Sequence, residues 1–271
     1  MKNIYITGYK GYIGSELLKR GFLPLECDVT DPDSVRSAFR GIRPNLVVHL
    51  AGKRSVDWCE DKQNFKQAYA INIHGVNNVF TVLNSLGIPG VFLSSDHIWR
   101  GGYFERHTEK SKPTSKNLRA APVNVYGVMK LAAETFAHRT IRTSYIFDFK
   151  RLEKEIALLE AKIVRRYPVF IRRSFLHLQD FCDLLERYCN DVGRMPRVLH
   201  LSGSQTVSWY GFMKEMERQK HLEGIVKPRY FEEKGNAPRP WFGGLDIGRS
   251  LELGFPKINY KHGIQRMLNE D

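Results

Sequence analysis

The stretch NIYITGYKGYIGSELLKR (residues 3–20) sets Gly8, Gly11 and Gly14 between an apolar, β-rich run and a helix-forming run. One glycine there would suit a turn. Three at this junction imply that something approaches the backbone closely. In a parallel α/β sheet, the turn from the first strand into the first helix is where the phosphates of a dinucleotide sit. Gly8 then allows the tight turn, Gly11 lets a pyrophosphate reach the main-chain amides, and Gly14 lets helix and strand pack closely. The helix N-terminus adds oriented N–H donors and a partial positive charge. Lys10, Tyr12 and Ile13 lie within the same turn and are expected to line the cofactor. The spacing is GxxGxxG rather than GxGxxG, so its position in the chain carries the reading.

That position is defined by an alternation of strands and helices through residues 1–147. FLPLECDVT (22–30) reads as a strand. DPDSVRSAFRGI (31–42) reads as a helix opened by Asp31 with Pro32 just inside it. The strand NLVVHLAG (45–52) follows, then a helix over 64–87, the strand GVFLSS (90–95), a polar loop (96–121), the helix PVNVYGVMKLAAETFAH (122–138) and the strand TIRTSYIF (140–147). These strands are continuously apolar, the mark of a parallel sheet covered on both faces by helices. The expected fold is therefore α/β, a doubly wound parallel sheet of the Rossmann type, with a small C-terminal substrate-capping portion. Residues 1–147 form the dinucleotide-binding domain, with 195–203 returning to the sheet, and 148–271 form the substrate-binding portion. A charged helix is expected over 150–166.

Composition bounds the rest. The 271 residues are 42% hydrophobic, which supports a packed core and excludes wholesale disorder. No apolar run approaches the roughly 20 residues of a membrane span, and no signal-peptide pattern opens the chain. The 4 cysteines, Cys27, Cys59, Cys182 and Cys189, form no CxxC, so a reduced, cytoplasmic protein without a structural metal is expected. The formal charge of +13 favours polyanionic ligands. The densest basic clusters lie at 105–119 and 162–173. No nucleic-acid recognition motif accompanies them, so a phosphate-rich small molecule is the expected partner.

The chemistry sits in VYGVMK, where Tyr126 and Lys130 at i, i+4 share one helix face. A tyrosine can protonate a carbonyl oxygen while hydride reaches the carbon, and a nearby ammonium draws its pKa down from about 10. Spacing alone does not select this pair, because YxxxK also occurs at Tyr210/Lys214 and Tyr230/Lys234. Only Tyr126 and Lys130 follow the apolar strand VFLSS. The C-terminal end of that strand opens at the ligand edge of the sheet and delivers Ser94 and Ser95. Arg172, Arg173 and Arg239 are candidate diphosphate clamps, since the planar guanidinium suits phosphate oxygens. His177 and Asp180, three apart, read as a capping and domain-joining segment, and Cys59 reads as packing.

TGYKGYIG, CDVTD, VVHLAG, SVDWCE, AINIHGVNNV, LSSDHIW, PVNVYGVMKLAAE, RTSYIF and PRPWFGGLD occur in the order seen in the extended short-chain dehydrogenase/reductases. Within that superfamily the chain resembles the dTDP-4-dehydrorhamnose reductase branch. The resemblance implies a catalytic set at Ser95, Tyr126 and Lys130, with Asn72 orienting the lysine through water. It also implies that Asp28 and Val29 border the adenine, that Leu50, Ala51 and Gly52 line the cofactor cleft, and that Ser144 and Tyr145 pass beside the nicotinamide. The substrate set is expected at Ser94, Asp96, His97, Arg173 and Arg239. His97 stands where the branch carries a tyrosine, and Asp96 stands where some related epimerases carry a catalytic cysteine. RRSFLHLQDF (172–181) is similar to a segment of nucleotide-sugar epimerases. Glu26 or Asp28 could serve as the ribose-binding acid, which leaves both NAD(H) and NADP(H) open. Lys10 and the basic balance tilt the choice toward NADP.

The function implied is NAD(P)H-dependent reduction of a keto group on a nucleotide-linked sugar, with a homodimer as a candidate assembly. Two alternatives stand beside it: an epimerase or dehydratase that keeps NAD bound, and a non-catalytic dinucleotide-binding subunit similar to the methionine adenosyltransferase regulatory subunit.

Overall fold

The computed structural model describes residues 3–101, 121–231 and 237–269. The long polar loop and Lys234 therefore fall outside the described residues in whole or in large part. The chain divides into two compact units. One holds residues 3–98, 122–142 and 182–199; the other holds 99–101, 121, 143–181, 200–231 and 237–269.

The first unit is built on β1 (Ile4–Thr7), α1 (Tyr12–Lys19), β2 (Leu23–Pro24), α2 (Pro32–Ala38), β3 (Leu46–His49), α3 (Val56–Glu60), α4 (Phe65–Tyr69), α5 (Gly75–Leu86), β4 (Gly90–Ser95), α6 (Val125–Ala133) and β5 (Arg139–Thr143). The chain continues through β6 (Ile146–Phe147), α7 (Phe149–Glu160), β7 (Arg165–Pro168), β8 (Arg172–Ser174), β9 (Leu176–His177), α8 (Leu178–Asn190) and β10 (Val198–His200). It ends with β11 (Thr206–Ser208), α9 (Trp209–Gln219), β12 (Val226–Arg229), β13 (Phe242–Gly243), α10 (Gly248–Glu252) and α11 (Tyr260–Asn269).

The central sheet has 6 strands in the order β10-β5-β4-β3-β1-β2. The order reverses at β1, whose two neighbours β2 and β3 both run parallel to it. That reversal opens a crevice beyond the C-terminal ends of β1 and β3, where open α/β sheets take their ligands. All four residues of β3 are buried, which is why this strand is apolar throughout instead of alternating. Val35, Phe39, Val47, Val76, Val79, Phe80, Leu83 and Phe92 pack one face of the sheet into a single cluster. The doubly wound fold expected from the sequence is the fold observed.

Four elements differ in extent from expectation. TIRTSYIF, expected as one strand over 140–147, divides into β5, which joins the central sheet, and β6, which pairs parallel with β9 in a separate two-stranded sheet. The second strand shrinks to Leu23–Pro24 at the edge of the sheet; proline offers no N–H to a ladder and is tolerated where only one neighbour is bound. The charged helix ends at Glu160 rather than 166. Lys162 takes a left-handed φ of 56°, and the residues beyond it turn into β7, paired parallel with β12. The long helix over 64–87 is interrupted by a π-helical turn, Ala70–His74, which carries Asn72.

In the second unit α7, α9 and α11 enclose an aromatic core. The rings of Phe175 and Phe212 stack at 4.0 Å, and Phe147 and Tyr260 pack against Phe212.

Candidate active site

The glycine turn behaves as three glycines should. Gly8 has φ +66°, and a Cβ on it would meet Ala51 N at 2.7 Å, so the turn lies directly against the chain leaving β3. A Cβ on Gly14 would meet Gly8 O at 2.4 Å and Tyr9 Cα at 2.6 Å, so the first turn of α1 presses on the loop itself. Among the described residues, an added Cβ at Gly11 would meet only Gly8 O, at 3.0 Å. Gly11 is also the N-cap of α1 and supplies no side-chain acceptor to its first turn. The site thus offers uncapped helix donors beside an open glycine face, which fits a pyrophosphate. Lys10 is exposed with its ammonium over the Tyr9 ring at 5.5 Å, and the Arg54 guanidinium lies over the Tyr12 ring at 5.4 Å. Ile13 is half-buried in the first turn.

Thr7, which the sequence reading passed over, holds the opposite wall. Its Oγ1 accepts from Leu50 N and Ala51 N, both at 3.2 Å, and lies 3.0 Å from His49 Nδ1. With both N–H groups donating to it, the Thr7 hydroxyl sends its own hydrogen to His49. Burial, helped by the charge of Lys130, drives His49 down to about 3, so this ring stays neutral.

Asn72 closes the wall from the π-helical turn. Its Oδ1 accepts from Lys53 N at 2.8 Å and its Nδ2 donates to Lys53 O at 3.1 Å, a two-point clamp on the segment after Gly52. A Cβ at Gly52 would lie 3.1 Å from Asn72 Oδ1 and 3.7 Å from Lys130 Nζ, so the clamp and the lysine share one corner. π-helical turns are frequent at functional sites because they re-aim a side chain without ending the helix. Cys59 is fully buried, 3.8 Å from Asn72 Nδ2. Asp28 accepts from Thr30 N and Oγ1, which holds its carboxyl below the usual range, while Val29 is buried and Glu26 is exposed.

Helix α6 supplies the reactive pair. Tyr126 and Lys130 are both buried. Lys130 Nζ donates to Leu93 O at 2.9 Å and stands 5.9 Å from the centre of the Tyr126 ring. Burial pushes the ammonium down to about 8, against the opposing pull of Glu134. The end of β4 lies alongside, where Ser95 Oγ donates to Asp96 Oδ1 at 3.1 Å and accepts from His97 N at 3.2 Å. Ser94 faces away from Ser95, as neighbours in a strand must, and its buried hydroxyl has no hydrogen-bond partner among the described residues. Close approach fixes this corner: a Cβ on Gly127 would meet His97 O at 2.1 Å. A glycine inside a helix costs about 1 kcal/mol relative to alanine, and that cost was the available signal for this contact. Glu60, also missed, reaches from α3 to accept from Val125 N at 2.9 Å, placing a carboxylate at the N-terminus of α6.

The remaining candidates belong to the second unit. Ser144 Oγ donates to Gly243 O at 3.3 Å and accepts from Ser174 N at 3.1 Å. The Tyr145 ring packs on Trp209 and lies under the Arg151 guanidinium, at 4.7 and 4.0 Å. Arg173 is buried and its Nη1 donates to the carbonyls of Arg172 and Pro240, while Arg239 Nη1 donates to Ala237 O. Asp180 pairs with Arg266 at 3.0 Å, and His177 is buried in β9. Tyr210 lies on α9, where Lys214 is engaged by Glu217 at 2.5 Å. Among the described residues no cluster of His, Cys, Asp and Glu could hold a metal, and no helix is long and apolar enough to cross a membrane.

Comparison with known proteins shows what the whole chain is similar to. The spore coat polysaccharide biosynthesis protein SpsK of Bacillus subtilis is 26% identical over 291 aligned residues, covering 100% of this chain and 98% of that protein. The dTDP-4-dehydrorhamnose reductase of Escherichia coli K12 is 26% identical, with 99% and 97% covered. The crystal structure of the Bacillus anthracis dTDP-4-dehydrorhamnose reductase in complex with NADP shares the fold, with a TM-score of 0.87, 24% identity and full coverage of both chains. The RmlD substrate binding domain matches residues 1–156, more than half of the sequence, and the chain belongs to that family.

Proposed function

We propose that the protein is an NADPH-dependent reductase of a keto group on a sugar carried by a nucleoside diphosphate. One observation supports this above the rest: the glycine turn, the end of β4 and the Tyr126–Lys130 face of α6 belong to one compact unit, with both reactive side chains buried. The reductases similar to this chain, one of them solved with NADP, support the same substrate class and cofactor. The exposed Lys10 in the turn and the charge of +13 favour the extra phosphate of NADP.

Bound NADPH would supply a hydride to the carbonyl carbon. The chain's own groups do the rest. Ser95 turns its O–H from Asp96 to the carbonyl oxygen and holds it. Tyr126 delivers the proton to that oxygen as it becomes an alkoxide. The Lys130 ammonium stabilises the phenolate that Tyr126 becomes, and it would hold the ribose of a bound cofactor.

The test is a panel of 4-keto sugars on different nucleoside diphosphates, followed by loss of NADPH absorbance. Stoichiometric consumption with one of them is the expected result. NADPH binding without consumption on any of them would instead favour a dinucleotide-binding regulatory subunit. Conversion of a sugar without net consumption would favour an epimerase.

The position of Lys130 gives a second expectation. Burial pushes its ammonium down to about 8, from an ordinary 10.5. NADPH affinity should therefore weaken by a few fold as pH rises past about 8, because a charge-assisted hydrogen bond is roughly twice as strong as a neutral one. Lys130→Met should bind more weakly throughout and lose that pH step. Titration calorimetry across the range checks both, and a step of equal size in the variant would remove Lys130 from the ribose site.

A further inference from the structure

Helix α6 starts with a hydrogen-bond chain that determines the state of a histidine beside Tyr126. The Gly127 N–H reaches Asn124 Oδ1 at 2.8 Å. A backbone N–H only donates, so the oxygen of the Asn124 amide must face the helix. The amide NH₂ therefore points the other way, to His97 Nδ1 at 3.1 Å. An amide nitrogen has no lone pair to offer, so Nδ1 must accept and the ring hydrogen must sit on Nε2. The cap of the helix that carries Tyr126 and Lys130 thus selects one tautomer of His97 and disfavours the imidazolium. The same imidazole stands edge-on to the Tyr126 phenol, with centroids 5.6 Å apart and planes at 79°. Its backbone is pinned on both sides, by His97 N donating to Ser95 Oγ and by the close approach of Gly127 to its carbonyl. Neighbouring titratable groups include Asp96 beside it in the chain, Glu60 at the same helix end, and Lys130 one turn beyond Tyr126.

We propose that His97 is a positioning residue for Tyr126, held by the Asn124 amide as the neutral Nε2–H tautomer. The inference rests on the reading of Tyr126 as proton donor. The tautomer lock does two things. It fixes the plane of the ring against which the phenol packs. It also keeps a second cation away from Tyr126. An imidazolium at this distance would join Lys130 in stabilising the phenolate, and less of Tyr126 would remain protonated to serve the carbonyl. Lys130 then tunes the phenol without a second cation at His97.

Asn124→Asp tests this without removing the cap. Aspartate keeps an oxygen on the Gly127 N–H and is as good an N-cap as asparagine, but it replaces the NH₂ by a second acceptor. His97 must then carry hydrogen on Nδ1. Long-range proton–nitrogen NMR of the full chain should show a bare Nδ1 on His97 in the wild type and a protonated Nδ1 in Asn124→Asp. The rate constant kcat should fall about tenfold, a loss typical of a slightly misplaced reacting group, with KM and NADPH affinity little changed. In a His97→Phe background, which keeps an edge-on ring and has no titratable nitrogen, Asn124→Asp should cost almost nothing further. A protonated Nδ1 in the wild type overturns the proposal. So does full kcat in Asn124→Asp, or an undiminished loss in the His97→Phe background. The NMR measurement needs no substrate, so its failure is distinct from failure of the reductase reading, which an absence of turnover in the wild type would signal.

Discussion

Tyr126→Phe is expected to lower kcat by about 10²–10⁴-fold, the usual worth of a positioned general acid, while NADPH affinity stays at the wild-type value. The substitution is well confined. Tyr126 is buried with its ring against His97, and phenylalanine preserves that packing and deletes only the hydroxyl. Lys130 keeps its bond to Leu93 O, and the glycine turn is untouched, so the groups proposed to hold the cofactor remain. The loss should therefore fall on kcat and not on KM. The other two YxxxK pairs are internal controls. Lys214 is committed to Glu217, whose carboxylate also accepts from Ile225 N and Val226 N, so the lysine of the Tyr210 pair serves the second unit's architecture. Tyr230 is 75% exposed, in no position to exclude water from a proton transfer. Tyr210→Phe and Tyr230→Phe should turn over at wild-type rates. If Tyr126→Phe did so too, the proton donor would lie elsewhere, and a binding subunit would become the better reading.

The contrast among these three pairs shows what a sequence discloses. The sheet was legible because β3 and β4 are buried nearly throughout, and burial on both faces writes itself as an unbroken apolar run. The glycine turn was legible because only glycine fits a left-handed φ pressed against Ala51. Elements whose limits depend on pairing were not. Nothing in FLPLECDVT says that the ladder stops at Pro24, since that depends on its lying at the sheet edge. The helix over 150–166 read as one piece because its charges suit a helix, whereas β7 exists only through its partner β12. The π-helical turn at Asn72 has no local signature, because it depends on a clamp to Lys53, nineteen residues earlier in the chain. Asn124 could be recognised as an N-cap from its place before α6, but not its hold on His97. That contact, like the reach of Glu60 to Val125, joins positions that are adjacent only once the sheet and helices have assembled.

Gly11→Val should abolish NADPH binding and leave the fold intact, which makes it the sharpest separation of site from scaffold. The three glycines of the turn are unequal in this respect. At Gly8 a side chain would strain a left-handed φ and strike Ala51 N at 2.7 Å, and at Gly14 it would strike Gly8 O at 2.4 Å, so substitution at either would disturb folding as well as binding. Gly11 has φ −77° and ψ 174°, a conformation open to any residue, and among the described residues its added Cβ would meet only Gly8 O, at 3.0 Å. A few tenths of an ångström of give absorbs that contact. The two methyl groups of valine would then stand over the N-terminal amides of α1, where a pyrophosphate must come within about 3 Å to accept hydrogen bonds. Thermal unfolding without ligand should therefore match the wild type, while NADPH should no longer raise Tm or bind in a fluorescence titration, because a ligand stabilises only the state it binds. A variant that kept both the ligand-free Tm and the NADPH-dependent rise would place the dinucleotide away from this turn, and the function proposed for the chain would fall with it.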